Sequence, residues 1–149
     1  MEGMSENVGV YIIGGMATPE YNYIIKSNNL KNIHFIDHCD YTTLKKYYHA
    51  ADVFVLPTRG DTWGLVINEA MAHGLPIITT ERCIAGTQLI EDGVNGYIVP
   101  VDDVVTLRNR ITTVLNDSQK RLDMAKINLE KIQQYNIENM AEIIFKSIG

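Results

Sequence analysis

Short apolar runs alternate with helical patterns along most of the chain, and this alternation limits the folds it can adopt. Five runs predict strands and three intervening segments predict helices; the strands are 8–13, 32–36, 52–57, 76–80 and 95–100, and the helices are 19–28, 41–50 and 65–73. Strands that alternate with helices imply a parallel sheet with helices on both faces. Nearly continuous apolar runs such as DVFVL and VGVYII are typical of buried parallel strands. We therefore predict an α/β, Rossmann-like fold.

Three further helical patterns follow the last predicted strand, at residues 102–115, 117–134 and 137–148. No strand separates them, so we expect extra C-terminal helices, the last of them a tail helix over 137–149. The sequence contains no internal repeat, low-complexity tract or linker. A chain of 149 residues can bury about 68–70% of its unfolded surface in one core. We expect a single domain over 1–149.

Charge and cysteine content exclude several classes of function. The chain has 13 Lys and Arg against 18 Asp and Glu, a net charge of −5, and a nucleic-acid partner would require a basic surplus. Its two cysteines, Cys39 and Cys83, form no CxxC pattern, which favours a reducing compartment and no zinc site. There is no apolar run of about 18 residues and no signal-peptide pattern at the N-terminus. We expect a cytoplasmic protein, at most peripherally associated with a membrane.

The segment PTRGDTWG, residues 57–64, links the third predicted strand to the third helix. In doubly wound sheets, ligands bind beyond the carboxyl ends of the strands, where this loop would lie. Gly60 and Gly64 allow a ligand to approach the backbone closely. The first N–H groups of the helix lack intrahelical partners, and the helix dipole favours an anion there. This segment therefore predicts a phosphate-binding helix start.

Two acidic residues lie on either side of that helix start, Asp61 in the loop and Glu69 within the helix. Glu69 is too deep in the helix to cap it, and its carboxylate can accept two hydrogen bonds from a vicinal diol such as that of a ribose. Asp61 would suit the hydroxyls of a second sugar. From spacing alone, an equally good interpretation is that Asp61 caps the loop and Glu69 is a solvated helix residue.

The stretch PTRGDTWGLVINEAMAHGLPIITT, residues 57–80, resembles the donor-binding motif of retaining, nucleotide-sugar-dependent glycosyltransferases of family 4, which have the GT-B fold. The flanking stretches HAADVFVLP, EDGVNGYIVPVDD and VGVYIIGG are similar to further segments of the same family. The resemblance covers about residues 8–116. It implies that the chain is the C-terminal, donor-binding half of a GT-B fold, from an enzyme of the hexosyltransferase class.

The resemblance also implies roles for individual residues. Glu69 matches the acid that holds the nucleotide ribose. Asp61 matches the acid that faces the donor sugar where the anomeric bond breaks, and is our candidate catalytic residue. The remaining donor-binding candidates are the backbone at the helix start, the loop at the nucleobase, the glycines bordering the cleft between domains, and one basic side chain: Trp63, Gly64, Leu65, Val66, Asp37, His38, Gly14, Gly15 and Arg59.

Two departures from the family pattern matter for function. Asp61 is one methylene shorter than the glutamate of the family, a loss of about 1.5 Å of reach. The sequence contains no match to the N-terminal acceptor domain, nor to the first strand and loop of the C-terminal domain, which supply an Arg and a Lys to the diphosphate. We therefore expect the isolated chain to be inactive without that missing domain or a partner subunit.

In the full-length enzyme, the resemblance implies transfer of a hexose from a UDP-, GDP- or ADP-sugar to a glycan, lipid or polysaccharide acceptor, as in polysaccharide biosynthesis. No cofactor and no metal is expected, because no Asp-x-Asp motif occurs; the adjacent Asp102 and Asp103 predict a helix N-cap instead. Two alternatives remain open. One is a naturally short, non-catalytic subunit or interaction module that completes a split glycosyltransferase. The other is a fragment of a GT-B sugar epimerase.

Overall fold

The computed structural model describes residues 8–135, which form five strands, six α-helices and one short 3-10 helix. In chain order they are β1 (Val10–Ile13), α1 (Pro19–Ser27), β2 (Ile33–Ile36), α2 (Tyr41–Ala50), β3 (Phe54–Leu56), α3 (Leu65–Ala72), β4 (Ile77–Thr80), α4 (Ile84–Leu89), β5 (Gly96–Val99), α5 (Val104–Asn116), α6 (Ser118–Ile132) and the 3-10 helix Gln133–Tyr135. All strand pairs among these are parallel. The predicted α/β, Rossmann-like fold is confirmed.

The chain divides into two compact units, one up to Tyr47 and one from Tyr48 onward. In the first unit, β1 pairs with β2, with Val10 opposite Ile33. Helix α1 begins as its sequence suggests: Thr18 accepts a hydrogen bond from the N–H of Tyr21, and Pro19 occupies the first turn, where its missing N–H costs nothing. The single domain over 1–149 stays a prediction.

Strand β1 is more exposed than its sequence suggests. The apolar run 8–13 predicts a buried strand, but Tyr11 is 55% exposed and Ile12 is 41% exposed. These two side chains lie on opposite faces of the strand, and β2 is its only described partner. No described residue before Tyr48 is fully buried. The prediction of a buried first strand is therefore wrong for the described part of the chain.

The second unit has a three-stranded sheet with β4 in the centre, and all four residues of β4 are buried. One face of the sheet packs against α5 and α6 in a core of Ile78, Tyr97, Val99, Val114 and Met124. On the other face, Gly86 of α4 lies against Thr79 so closely that a Cβ atom there would collide with the threonine methyl group. The predicted helices on both faces of the sheet are confirmed here.

Helix α4 is absent from the sequence-based prediction. It has only six residues, and Gly86 and Thr87 both lower its intrinsic helix propensity. Its helical signal is therefore weak, and the close contact with Thr79 explains why residue 86 is a glycine.

The predicted C-terminal helices are confirmed as α5 and α6. Asp103 caps α5 by accepting a hydrogen bond from the N–H of Thr106 at 2.9 Å, whereas Asp102 adopts a left-handed conformation with φ 62° and does not cap. Helix α6 packs against α3. The predicted tail helix over 137–149 lies outside the described residues. No helix within residues 8–135 is long and apolar enough to cross a membrane.

Candidate functional site

The loop between β3 and α3 is fixed to the end of β4 and the loop that follows it. The hydroxyl of Thr80 donates to the carbonyl of Thr58 at 2.6 Å, and the N–H of Asp61 donates to the carbonyl of Arg82 at 3.1 Å. The N–H of Ala85 donates to the carbonyl of Trp63 at 2.8 Å. These bonds hold the loop at the carboxyl edge of the sheet, the edge where ligands bind in such folds.

Gly64 forms the start of α3 in a conformation that suits glycine. Its φ is +85°, and a Cβ atom would lie 2.7 Å from Sγ of Cys83. No side chain caps this helix, so the N–H groups of Leu65 and Val66 lack an intrahelical acceptor. Leu65 is 69% exposed, so this end of the helix is open to solvent. The partial positive charge of the helix start is therefore available to an anion.

Asp61 lies beside this helix start. Its Oδ1 accepts a hydrogen bond from the N–H of Trp63 at 3.1 Å, and its Cγ is 3.7 Å from the position that a Cβ of Gly64 would occupy. The interpretation of Asp61 as a loop cap is therefore correct in this structure. The bond also engages the N–H of Trp63, so the donors left at the helix start are those of Gly64, Leu65 and Val66.

Glu69 is half-buried, and its carboxylate is held by a side chain of another helix. The phenol of Tyr48 donates to Oε2 of Glu69 at 3.0 Å, and Tyr48 itself is buried. The interpretation of Glu69 as a freely solvated helix residue is therefore wrong. Because Tyr48 lies 21 positions away on α2, no local pattern connects it to Glu69.

Trp63 and Arg59 make contacts of their own near the loop. The indole N–H of Trp63 donates to Oδ1 of Asn68 at 3.2 Å, which fixes the ring beside α3. Arg59 pairs with Asp102 at 2.9 Å, and both side chains are largely exposed. Contact of Arg59 with phosphate stays a prediction, and in this structure its guanidinium is directed to Asp102.

The four predicted donor-site residues of the first unit lie together at the carboxyl ends of β1 and β2. The N–H groups of Gly14 and Gly15 donate to the carbonyl of Ile36 at 3.0 and 3.4 Å. Asp37 and His38 follow directly. The backbone N–H of His38 donates to Asp37, and this bond, with a second from the imidazole, holds the pKa of the Asp37 carboxyl below its usual value of 3.8.

No three His, Cys, Asp or Glu side chains within residues 8–135 form a group that could hold a metal ion. The prediction that no metal takes part stays a prediction.

Comparison with known proteins decides the family. Residues 2–117 match the sequence profile of glycosyl transferases group 1. The chain belongs to this family. A D-inositol 3-phosphate glycosyltransferase from Corynebacterium efficiens is 28% identical over 137 residues, which are 87% of this chain and 32% of that protein. The chain thus spans about a third of the length of this curated glycosyltransferase.

Two solved structures share the fold. The C-terminal domain of a glycosyl transferase group 1 family protein (LpcC) from Francisella tularensis is 27% identical with a TM-score of 0.73, covering 81% of this chain and 67% of that one. HepE from Anabaena, solved in complex with UDP, is 24% identical with a TM-score of 0.79, covering 97% of this chain and 41% of that one. The predicted resemblance to the C-terminal half of GT-B glycosyltransferases is confirmed.

Proposed function

We propose that this chain is the nucleotide-sugar donor domain of a retaining hexosyltransferase. The observation that carries the proposal is the start of α3, where N–H groups without a side-chain cap follow Asp61 and precede the half-buried Glu69 along the chain. An anion-binding helix start with a carboxylate on each side suits a ligand with a diphosphate between two sugars. The membership of the chain in the glycosyl transferases group 1 family supports this choice.

In the proposed complex, the diphosphate accepts hydrogen bonds from the N–H groups of Leu65 and Val66. Glu69 accepts from the ribose hydroxyls, and Asp61 faces the hexose. HepE, which shares the fold, was solved in complex with UDP, and this supports a nucleoside diphosphate as part of the ligand. Gly14, Gly15, Asp37 and His38, which lie in the first unit, stay predicted donor-binding residues.

The proposed reaction breaks the bond between the anomeric carbon and the diphosphate oxygen. The hydroxyl oxygen of the acceptor bonds to the same face of the sugar, and the diphosphate leaves with the electron pair and an added negative charge. The proton released by the acceptor hydroxyl is taken up by the departing diphosphate oxygen. The helix start would stabilise that charge, because its dipoles are already oriented before the reaction begins. This stabilisation would operate without a metal. The acceptor is proposed to be a glycan, lipid or polysaccharide.

We further propose that the chain does not turn over alone and requires an acceptor domain or partner subunit. The purified chain should bind donor without transferring sugar over repeated cycles. Sustained multi-turnover transfer by the purified chain, free of any partner, would show that this part of the proposal is wrong.

The donor site is tested by a ligand-observed NMR screen of UDP-, GDP- and ADP-sugars against the purified chain. We expect at least one class to bind, and Glu69→Ala to abolish that binding. Glu130→Ala, which removes an exposed glutamate from α6, is the matched control and should bind like the unmodified chain. Failure of all three donor classes to bind, or equal binding by the Glu69→Ala variant, would overturn the proposed donor site.

A further inference from the structure

The carboxylate of Glu69 is held from one side by a buried phenol. Tyr48 is 6% exposed, and its hydroxyl donates to Oε2 of Glu69 at 3.0 Å. A hydrogen bond to a charged acceptor in a partly buried setting is stronger than one between neutral groups at the surface. It restricts the rotation of a side chain that would otherwise have several rotamers.

The ring of Tyr48 is in turn fixed by its neighbours. His73 stacks against it with ring centroids 5.0 Å apart and an interplanar angle of 25°, and Phe54 lies 6.0 Å away in a tilted arrangement. His49 packs edge-on against His73 at 4.8 Å. The phenol therefore has little freedom to move away from the carboxylate.

His73 also contacts the backbone of the same glutamate. Its Nδ1 lies 2.8 Å from the carbonyl oxygen of Glu69, at the C-terminal end of α3. The stacked pair of Tyr48 and His73 thus holds Glu69 twice, at its carboxylate and at its backbone. Packing of the Tyr48 ring for stability would not by itself require its hydroxyl to donate to Glu69, the one glutamate of α3.

We propose that Tyr48 is a positioning residue that orients the carboxylate of Glu69 for the two ribose hydroxyls of the donor, an inference that rests on the proposed role of Glu69. A carboxylate has about four acceptor positions, so Oε2 can accept from the phenol and still accept from a hydroxyl. Pre-orientation raises affinity because the ligand no longer has to order the side chain on binding.

The test measures discrimination between a ribose and a sugar that lacks both hydroxyls. UDP, GDP and ADP are each titrated by calorimetry against the chain beside their 2′,3′-dideoxy forms. We expect Tyr48→Phe to weaken ribonucleotide binding about tenfold, the loss of one charge-assisted hydrogen bond, and to leave dideoxynucleotide binding unchanged. Tyr47→Phe, on the neighbouring position of α2, is the matched control and should leave the ratio of the two affinities unchanged.

Glu69→Gln separates failure of the positioning role from failure of the donor site. If Glu69→Gln removes the preference for ribose and Tyr48→Phe does not, the positioning role is wrong and the donor site stands. If Glu69→Gln also leaves the preference intact, or no nucleotide binds, the donor site itself is wrong.

A measurement without ligand tests the positioning directly. In crystal structures, the Glu69 carboxylate should occupy one rotamer in the unmodified chain and several in Tyr48→Phe. One unchanged rotamer in both proteins would overturn the proposal whatever the nucleotide titrations show.

Discussion

Sγ of Cys83 lies 2.7 Å from the place where a Cβ atom on Gly64 would be. Cys83 is fully buried, and its thiol also lies 3.6 Å from the carbonyl of Trp63, so it fills the space beneath the start of α3. The left-handed conformation of Gly64, with φ +85°, is a second reason for glycine at this position. The backbone of the proposed phosphate site therefore depends on a contact between two residues that are 19 positions apart.

Gly64→Ala should destabilise the protein and weaken nucleotide binding together. The left-handed conformation alone costs a residue with a Cβ about 1–2 kcal/mol, and the contact with Cys83 adds to this cost. We expect a loss of about 2 kcal/mol or more in the free energy of unfolding, measured by urea denaturation.

Gly60→Ala is the matched control in the same loop, because a Cβ atom at Gly60 meets nothing within 4 Å. We expect it to change the free energy of unfolding by less than about 0.5 kcal/mol. The double variant Gly64→Ala, Cys83→Ala should lose less than the sum of the single variants, since removing the thiol relieves the collision. Equal stability of Gly64→Ala and Gly60→Ala would contradict this account of the helix start.

Asn128→Ala should be among the most destabilising polar substitutions in the second unit. Asn95 and Asn128 are both fully buried and bond to each other at 2.8 Å. The Asn128 amide also donates to the carbonyls of Leu75 and Asn95 at 2.7 and 2.9 Å. Its removal leaves buried acceptors and a donor without partners, at about 1–3 kcal/mol each. We expect a loss of about 3 kcal/mol or more, measured by thermal and urea unfolding.

Asn116→Ala is the control for that substitution, because Asn116 is exposed at the end of α5. Asn95→Ala should lower the free energy of unfolding as much as Asn128→Ala does. In the double variant, the two losses should be less than additive, because the two side chains share a hydrogen bond. Additive losses, or a loss below about 1 kcal/mol for Asn128→Ala, would show that the pair does not act as one network.

The sequence predicted the order of strands and helices because each apolar run and each cap is a local signal. Pro19, Asp103 and the Gly74-Leu75-Pro76 turn mark the starts and ends of elements through backbone geometry alone. Helix α4, the Tyr48–Glu69 bond and the Asn95–Asn128 pair could not be predicted in this way. Each depends on residues that become neighbours only after the strands have paired, so no spacing along the chain reveals them.

The same distinction applies to the candidate site. The motif around 57–76 predicted the loop and the uncapped helix start, since both follow from glycine positions and helix termination. An apolar run predicts a strand, but it does not show how many neighbouring strands and helices cover that strand. The exposure of β1 could therefore not be predicted from the sequence.

Acid pH should weaken the start of α5 through Asp103. The hydroxyl of Thr106, followed by its backbone N–H, lowers the pKa of this carboxyl below 3.8 in the folded chain. A folded-state pKa below the unfolded value contributes stability that is present above about pH 4 and is lost as pH falls through the folded pKa.

The Asp103→Asn variant tests this, because asparagine is still an N-capping side chain but does not titrate. Urea midpoints of the two proteins should therefore differ at pH 5–7 and converge below about pH 4. A gap of constant size from pH 6 down to pH 2.5 would contradict this linkage.

Release of Arg59 from Asp102 should strengthen nucleotide binding if the guanidinium reaches phosphate as predicted. The Arg59–Asp102 pair is exposed, with side chains 81% and 64% accessible, so breaking it should hardly change stability. Asp102→Asn frees the guanidinium, and asparagine tolerates the left-handed backbone at this position, where φ is 62°. The free energy of an exposed pair is about 0–1 kcal/mol, so the gain in nucleoside diphosphate affinity should be at most about fivefold.

Isothermal titration at low and moderate salt measures this gain in affinity, and the gain should shrink as salt rises. Arg59→Gln in the Asp102→Asn background should abolish the gain. An affinity that is unchanged in Asp102→Asn and in Arg59→Gln alike would remove Arg59 from the donor site and leave the helix start as the main phosphate contact of the chain.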